Sequence, residues 1–325
     1  MVNNERNITI DVTKGIGIIL VVLGHIGIAF WGHIIYQFHM ALFFMLSGYC
    51  FKVDYLNNKK QFIVKRSIKI LWPYLFFLTI RELMRLFGYG YYIDTYYLFG
   101  TLWFLRYLFV TSIVSLTFLY VLCKIFGDNK STYIYYAPLI MLILTFIINV
   151  FFPNISISSY TYVSFFFLLG FSFKNISTNG LISKSATLNL SLLTALLILS
   201  SIFSTKGICH CDWETFIPYG ISSIIGSYLM YLLAHHLIEH QIATHTLSFL
   251  GANTMPIVLL QWPAIALIDV LQYYELTSLD VNFLKICKFL AGIAVPLIIA
   301  KAYSKCTFLH LESYIKKYKK QFIQK

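Results

Sequence analysis

The stretch from Ile10 to Phe51, IDVTKGIGIILVVLGHIGIAFWGHIIYQFHMALFFMLSGYCF, decides what kind of molecule this is. It is apolar enough to cross a membrane twice, yet it carries Asp11, Lys14, His25, His33 and His39. Ionisable groups at membrane depth are costly, and where they occur they mark functional sites by default. Lys14 and His25 stand eleven positions apart, about three helical turns, so they share a face with about 16 Å of rise between them. Asp11 and Lys14, at i and i+3, can pair on that face. A helix entering near Asp11 carries His25 past the middle of a ~30 Å hydrocarbon core. A returning helix that begins near His33 brings His39 to a similar depth, so two imidazoles are expected to meet far from Asp11.

The rest of the chain supports a membrane reading. Of 325 residues, 58% are hydrophobic and 12% charged, against about 25% charged in a soluble domain. Apolar runs of spanning length occur at about 8–30, 33–51, 62–87, 98–123, 133–152, 160–173, 186–204, 215–237, 247–270 and 283–304. The expected fold is all-α, a polytopic integral membrane helix bundle of about ten transmembrane helices with both termini cytoplasmic. It forms a single membrane-embedded domain over 1–325, with a basic cytoplasmic tail at about 305–325. The first run is longer than a signal-peptide core and lacks a cleavage site behind it, so it is read as a retained span.

The net charge of +12 is accounted for by the positive-inside rule, not by nucleic acid as a partner. With the amino terminus inside, only Arg81, Arg85, Arg106, Lys206, Lys285 and Lys288 fall outside or within the membrane. Asp94, Asp212, Glu214, Asp269, Glu275 and Asp280 gather on the opposite side. The terminal KKYKK reads as resting on anionic lipid headgroups.

Several clusters carry chemistry. A neutral imidazole titrates near physiological pH and can take a proton from a hydroxyl, which makes His25, and less firmly His39, general-base candidates. Lys65, Arg66 and Lys69 open the third span; Arg66 and Lys69 share a helical face and, with Lys14 at the same level, suit phosphate groups of a nucleotide-like ligand. Arg106, within the fourth span, is expected to face the bundle interior and pair with Glu82 or Asp94, while Arg81, Glu82 and Arg85 read as a self-satisfied network. Trp103 reads as an anchor and Asn253 as a positioning residue in a ninth span kinked by Pro256. No metal is expected: Cys209, His210 and Cys211 lack a second ligand pair, and His235, His236, Glu239 and His240 sit at a helix end where histidine complements the dipole.

Four segments, DVTKGIGIILVVLGH, YQFHMALFFMLSGYCF, KRSIKILWPY and TLWFLRYLF, together with the late LGANTMPIVLLQWP, resemble the membrane acyltransferase-3 family. That family includes bacterial O-acetyltransferases of surface polysaccharides. The resemblance implies transfer of an acetyl or similar acyl group from cytoplasmic acetyl-CoA, or another acyl-CoA, to a hydroxyl of an extracytoplasmic glycan or lipid-linked sugar. The family's basic-then-His motif falls on Lys14 and His25, its basic pair on Arg66 and Lys69. Two departures stand out. Lys14 occupies a position where one large branch carries Arg, and Lys lacks the bidentate fork. Gln261 stands where relatives often carry His. The competing class is a transporter or flippase of lipid-linked sugar or polysaccharide, which would more naturally show paired interrupted helices in two related halves. A homo-oligomer is compatible with the sequence.

Overall fold

A computed structural model describes residues 7–27, 29–87, 100, 102–127, 130–152, 157–175, 186–202, 213–274 and 280–305. Every regular element among them is helical. In chain order these are α1 (Ile8–His25), α2 (Ala29–Tyr36), α3 (His39–Tyr49), a 3-10 turn (Val53–Leu56), α4 (Lys59–Arg66), a π segment (Ser67–Leu71), α5 (Trp72–Leu86), α6 (Leu102–Phe126), α7 (Lys130–Phe151), α8 (Ile157–Asn175), α9 (Ala186–Ile202), α10 (Trp213–Leu237), α11 (Gln241–Ala252), α12 (Thr254–Tyr274) and α13 (Val281–Lys305). They fall into two compact units, residues 1–254 and 255–325.

Six stretches among the described residues are long and apolar enough to cross a membrane: Ile8–His25, Leu102–Phe126, Ile134–Phe151, Phe216–Leu237, Thr254–Gln272 and Val281–Ala302. This makes the protein an all-helical, multi-pass membrane protein. The other segments read as spans are helical too, but broken or shorter. The second divides at Gln37–Phe38 into α2 and α3, and the third runs from Lys59 to Leu86 through the π segment. The ninth breaks at Asn253, not at Pro256. The basic tail and the Cys209–Cys211 loop lie outside the described residues.

Within the first unit, helix direction follows from which ends touch. Tyr107 stacks on Tyr160 with ring centroids 4.2 Å apart, and Tyr162 Oη donates to the Phe216 carbonyl at 2.7 Å. At the other end, the Phe173 ring meets Tyr231 at 5.3 Å and Tyr49 at 6.4 Å. Helices α3, α6, α8 and α10 therefore run the same way. Helix α1 runs against α3: Asn7 at its start donates to Tyr49 Oη at the end of α3 (3.2 Å), and Ile10 packs on Leu42 and Leu46. Helix α7 opposes α8, with Ser172 Oγ donating to the Ile134 carbonyl at 2.5 Å.

Two crossings are made by glycine. A Cβ at Gly15 would overlap the Leu247 carbonyl of α11, and one at Gly251 the Asp11 carbonyl of α1. Between α3 and α8, Gly48 and Gly170 meet the Phe167 and Met45 carbonyls in the same way. Small residues let helix backbones touch, which is how helices associate where lipid offers no hydrophobic drive between them. A core of aromatic side chains, including Phe44, Phe51, Phe166, Phe167, Phe171 and Tyr219, fills the centre of this unit.

Candidate functional site

Helix α1 carries the candidate groups at its two ends. Asn7 caps it, its Oδ1 accepting from the Ile10 N–H at 3.3 Å. Asp11 is buried (6% exposed) and pairs with Lys14, Nζ to Oδ1 3.5 Å. The expected pairing is present, and it belongs to the first turns of the helix, where a carboxylate also meets the positive end of the helix dipole. Between the ends, Ile18 and Val21 are packed shut, so no polar track runs along α1.

At the far end stands His25, half-buried in the last turn of α1. The short helix α2 turns the chain back, and the break at Gln37–Phe38 sets His39 at the first position of α3. His39 is 2% exposed. Its Nδ1 is 2.7 Å from the Ile35 carbonyl. A carbonyl can only accept, so this nitrogen carries the proton and the lone pair of the neutral ring is on Nε2. Tyr36 joins the two histidine-bearing segments: its ring meets His39 edge-on at 5.1 Å, and its hydroxyl donates to the Gly24 carbonyl, next to His25, at 3.4 Å. His33 is exposed. Tyr36 carried no motif; only the fold over Ala29–Phe38 brings its hydroxyl back to the end of α1.

The basic residues part company. Arg66 is half-buried, its guanidinium 5.2 Å from the Phe62 ring centroid, while Lys69 is exposed on the π segment. The wider i→i+5 turn takes Lys69 off the face that an α-helix would share with Arg66. Around Arg66 the structure gathers residues that spacing alone did not connect. Arg66 lies over Phe62, and the Phe62 ring stands 5.0 Å from that of Tyr55. Lys65 Nζ is 3.5 Å from Tyr55 Oη. Lys174, from the end of α8, donates to the Phe51 carbonyl at 3.2 Å. Lys174 is 123 positions from Phe51, so no local signal could have found it.

Arg106 does not face the bundle interior. It is exposed, with its guanidinium 5.6 Å from the Tyr107 ring. Its expected partner Glu82 is held by Arg81 (2.7 Å) and Arg85 (3.1 Å), the self-satisfied network foreseen; Asp94 lies outside the described residues. The reason is helical phase: Leu105 and Tyr107 on either side take the buried positions of α6. Trp103 contacts Phe104 and Tyr107. Asn253 bonds its own helix, Nδ2 to the Phe249 carbonyl at 2.8 Å, so it ends α11 instead of tying α11 to a neighbour. Gln261 is fully buried, and neither amide atom reaches a hydrogen-bond partner among the described residues. The His236 and His240 rings stand 6.1 Å apart, and no group of three metal-ligating side chains converges among the described residues.

Fold and site together define a multi-pass helical membrane protein with ionisable side chains set into its helix bundle. The chain belongs to the acyltransferase-3 family, whose sequence model, described as an acyltransferase domain, matches residues 7–303. It is similar to the nodulation protein NolL of Sinorhizobium fredii, 31% identical over 233 residues, which are 65% of this chain and 58% of that protein. The NolL of Mesorhizobium japonicum is 36% identical over 90 residues, 24% of each chain. The match to the first relative thus spans a little over half of its length. No solved structure matches the chain.

Proposed function

We propose that this protein is a membrane O-acyltransferase. It moves an acetyl or similar acyl group from a cytoplasmic acyl-CoA to a hydroxyl of an extracytoplasmic glycan such as capsule, exopolysaccharide or O-antigen. The observation that carries this reading is the His25–Tyr36–His39 cluster at one end of α1, opposite an Asp11–Lys14 pair, in a chain that belongs to an acyltransferase family. The whole chain acts as one domain of ten spans with both ends inside. The shared direction of α3, α6, α8 and α10, opposed by α1 and α7, supports the alternation that ten spans require.

In this mechanism the donor phosphates dock on the basic side with Lys14, Arg66 and Lys69, and the thioester reaches His25. The acceptor hydroxyl attacks the thioester carbonyl carbon while His25 takes its proton. The C–S bond breaks, and the leaving thiolate takes the proton from His25, giving an ester and free CoA. In the two-step variant the imidazole itself accepts the acyl group, CoA leaves, and the hydroxyl then displaces the ring. With its Nδ1 proton committed to Ile35, neutral His39 offers only a lone pair, so it orients the acceptor hydroxyl by accepting from it. Arg106, exposed on α6, joins it in orienting the acceptor glycan. Trp103 and Asn253 keep positioning roles.

The test uses purified protein in lipid nanodiscs with acyl-labelled acetyl-CoA and a polysaccharide acceptor. Label should enter the polysaccharide with one thiol released per ester formed. The helix breaks at Gln37–Phe38 and Asn253 are a feature of transporters as well. A transporter would move glycan across the disc with no labelled ester and no thiol, which would end the acyltransferase reading.

Arg66 yields a narrower prediction. Removing a charge-assisted phosphate contact costs about 1.5–3 kcal/mol, so Arg66→Gln should raise KM for acetyl-CoA roughly 10- to 100-fold with kcat little changed. Equal KM values in the variant and the parent protein would take Arg66 out of the donor site.

A further inference from the structure

A cavity of about 210 Å³ lies between α1, α3, α8 and α10, all in the first unit. Ile10, Leu42, Met45, Leu46, Leu169 and Ile224 supply much of its wall. Hydroxyl-bearing residues also line it, three of them with their oxygens engaged elsewhere, while the buried Ser227 Oγ meets no hydrogen-bond partner among the described residues. Thr13 Oγ1 donates to the Thr9 carbonyl at 2.7 Å, Ser172 Oγ to Ile134, and Tyr49 Oη accepts from Asn7. The lining is almost wholly apolar. A pantetheine arm, with two amides to satisfy, would lose those hydrogen bonds here, at about 1–3 kcal/mol for each group left unpaired. A hydrocarbon chain loses nothing. An apolar cavity of about 150 Å³ stays dry and takes benzene; by the same measure this one takes about eight carbons.

The ends of the cavity narrow the identity of its guest. At one end Leu42 is a single turn from His39. At the other, Tyr49 and Phe173 form a rim, ring to ring, and the residues that follow them lead into a basic collar. Cys50 and Phe51 follow Tyr49, and Lys174 follows Phe173 and donates to the Phe51 carbonyl. Lys65 Nζ lies 3.5 Å from Tyr55 Oη, Arg66 lies over Phe62, whose ring stands 5.0 Å from that of Tyr55, and Lys52 directly follows Phe51 in the chain. The loop carries one acid, Asp54, against these four cations. An apolar slot opening beside a cationic collar matches an amphiphile with a phosphate head and an alkyl tail.

We propose that this cavity holds the alkyl chain of a phosphate-bearing amphiphile whose head sits on Lys52, Lys65, Arg66 and Lys174. This deepens the donor assignment of Arg66 and rests on that reading for one of the four cations. Two substrates share this chemistry: an acyl-CoA whose acyl group is longer than acetyl, and a prenyl-phosphate-linked sugar.

The experiment is photolabelling of the full chain in nanodiscs with two diazirine-bearing probes, octanoyl-CoA and a prenyl phosphate, mapped by peptide mass spectrometry. Label is expected on residues 42–49 and 224–231, falling at least tenfold in Leu46→Trp, which fills the cavity. Ile224→Phe, at a partly exposed wall position, is the second filling variant should the first fail to fold. Lys174→Gln should weaken labelling severalfold while leaving its position unchanged. Protection by unlabelled octanoyl-CoA but not by acetyl-CoA identifies the donor chain; protection by prenyl phosphate alone identifies the acceptor lipid. His25→Ala should label like the parent protein, so loss of turnover there reports on catalysis and not on this cavity. Label insensitive to both filling variants, or displaced equally well by uncharged octyl glucoside, overturns the proposal.

Discussion

Replacing His25 with alanine should lower acyl transfer on the order of 10²- to 10⁴-fold, the range a positioned general base contributes. Donor affinity should be nearly unchanged, because the cations assigned to phosphate lie elsewhere. The variant also separates the two routes of transfer. If His25 carries the acyl group, the parent protein without acceptor releases about one equivalent of CoA in a burst, and His25→Ala shows none. If His25 acts only on the proton, neither protein shows a burst and both need acceptor to release thiol. His39→Ala should be milder in its effect on donor hydrolysis and should act mainly through KM for the acceptor, since its free nitrogen is a hydrogen-bond acceptor and its other nitrogen is held by Ile35. Undiminished labelling of the acceptor by His25→Ala would remove His25 from the chemistry.

The second large effect is on folding. A Cβ at Gly251 overlaps the Asp11 carbonyl and lies 3.1 Å from Gly15 N, with backbone atoms as the obstacles. Backbone cannot swing aside as a side chain can, so Gly251→Val forces α11 off α1. That separation strips Leu247 from Val12 and Ile16 and loosens the packing around the buried Asp11. Overpacking costs typically 1–3 kcal/mol and more where nothing can yield, so about 3 kcal/mol or more is expected. The measurement is the thermal midpoint in detergent and the folded fraction by size exclusion, with a fall on the order of 5–10 °C. Gly32→Ala is the control: a Cβ there meets nothing within 4 Å, so it should melt with the parent protein. Equal midpoints for the two variants would show that the α1–α11 crossing does not depend on contact at that glycine.

Much of this molecule was legible along the chain because membrane helices report themselves locally. A run of apolar residues has to satisfy its backbone internally and therefore becomes helical. The bounds expected for the fifth, eighth and tenth segments differ from α7, α10 and α13 by only a few residues. The Asp11–Lys14 pair and the Arg81–Glu82–Arg85 network were equally readable, since i, i+3 neighbours are set by helix geometry alone.

What the sequence by itself determined, then, is the all-helical membrane class, the placement of most helices, and the ionisable residues that a membrane makes expensive. Tertiary structure decided the rest. The break at Gln37–Phe38 falls inside a run read as one continuous span, and the break at Asn253 comes three residues before the Pro256 where the kink was expected. The Tyr36 hydroxyl reached Gly24, beside His25, only when α2 folded back, and Lys174 reached Phe51 only when α8 packed against α3. Arg106 turned outward because Leu105 and Tyr107 filled the buried side of α6. Hydropathy measures what one segment loses in water, whereas these placements depend on which surfaces of distant segments meet.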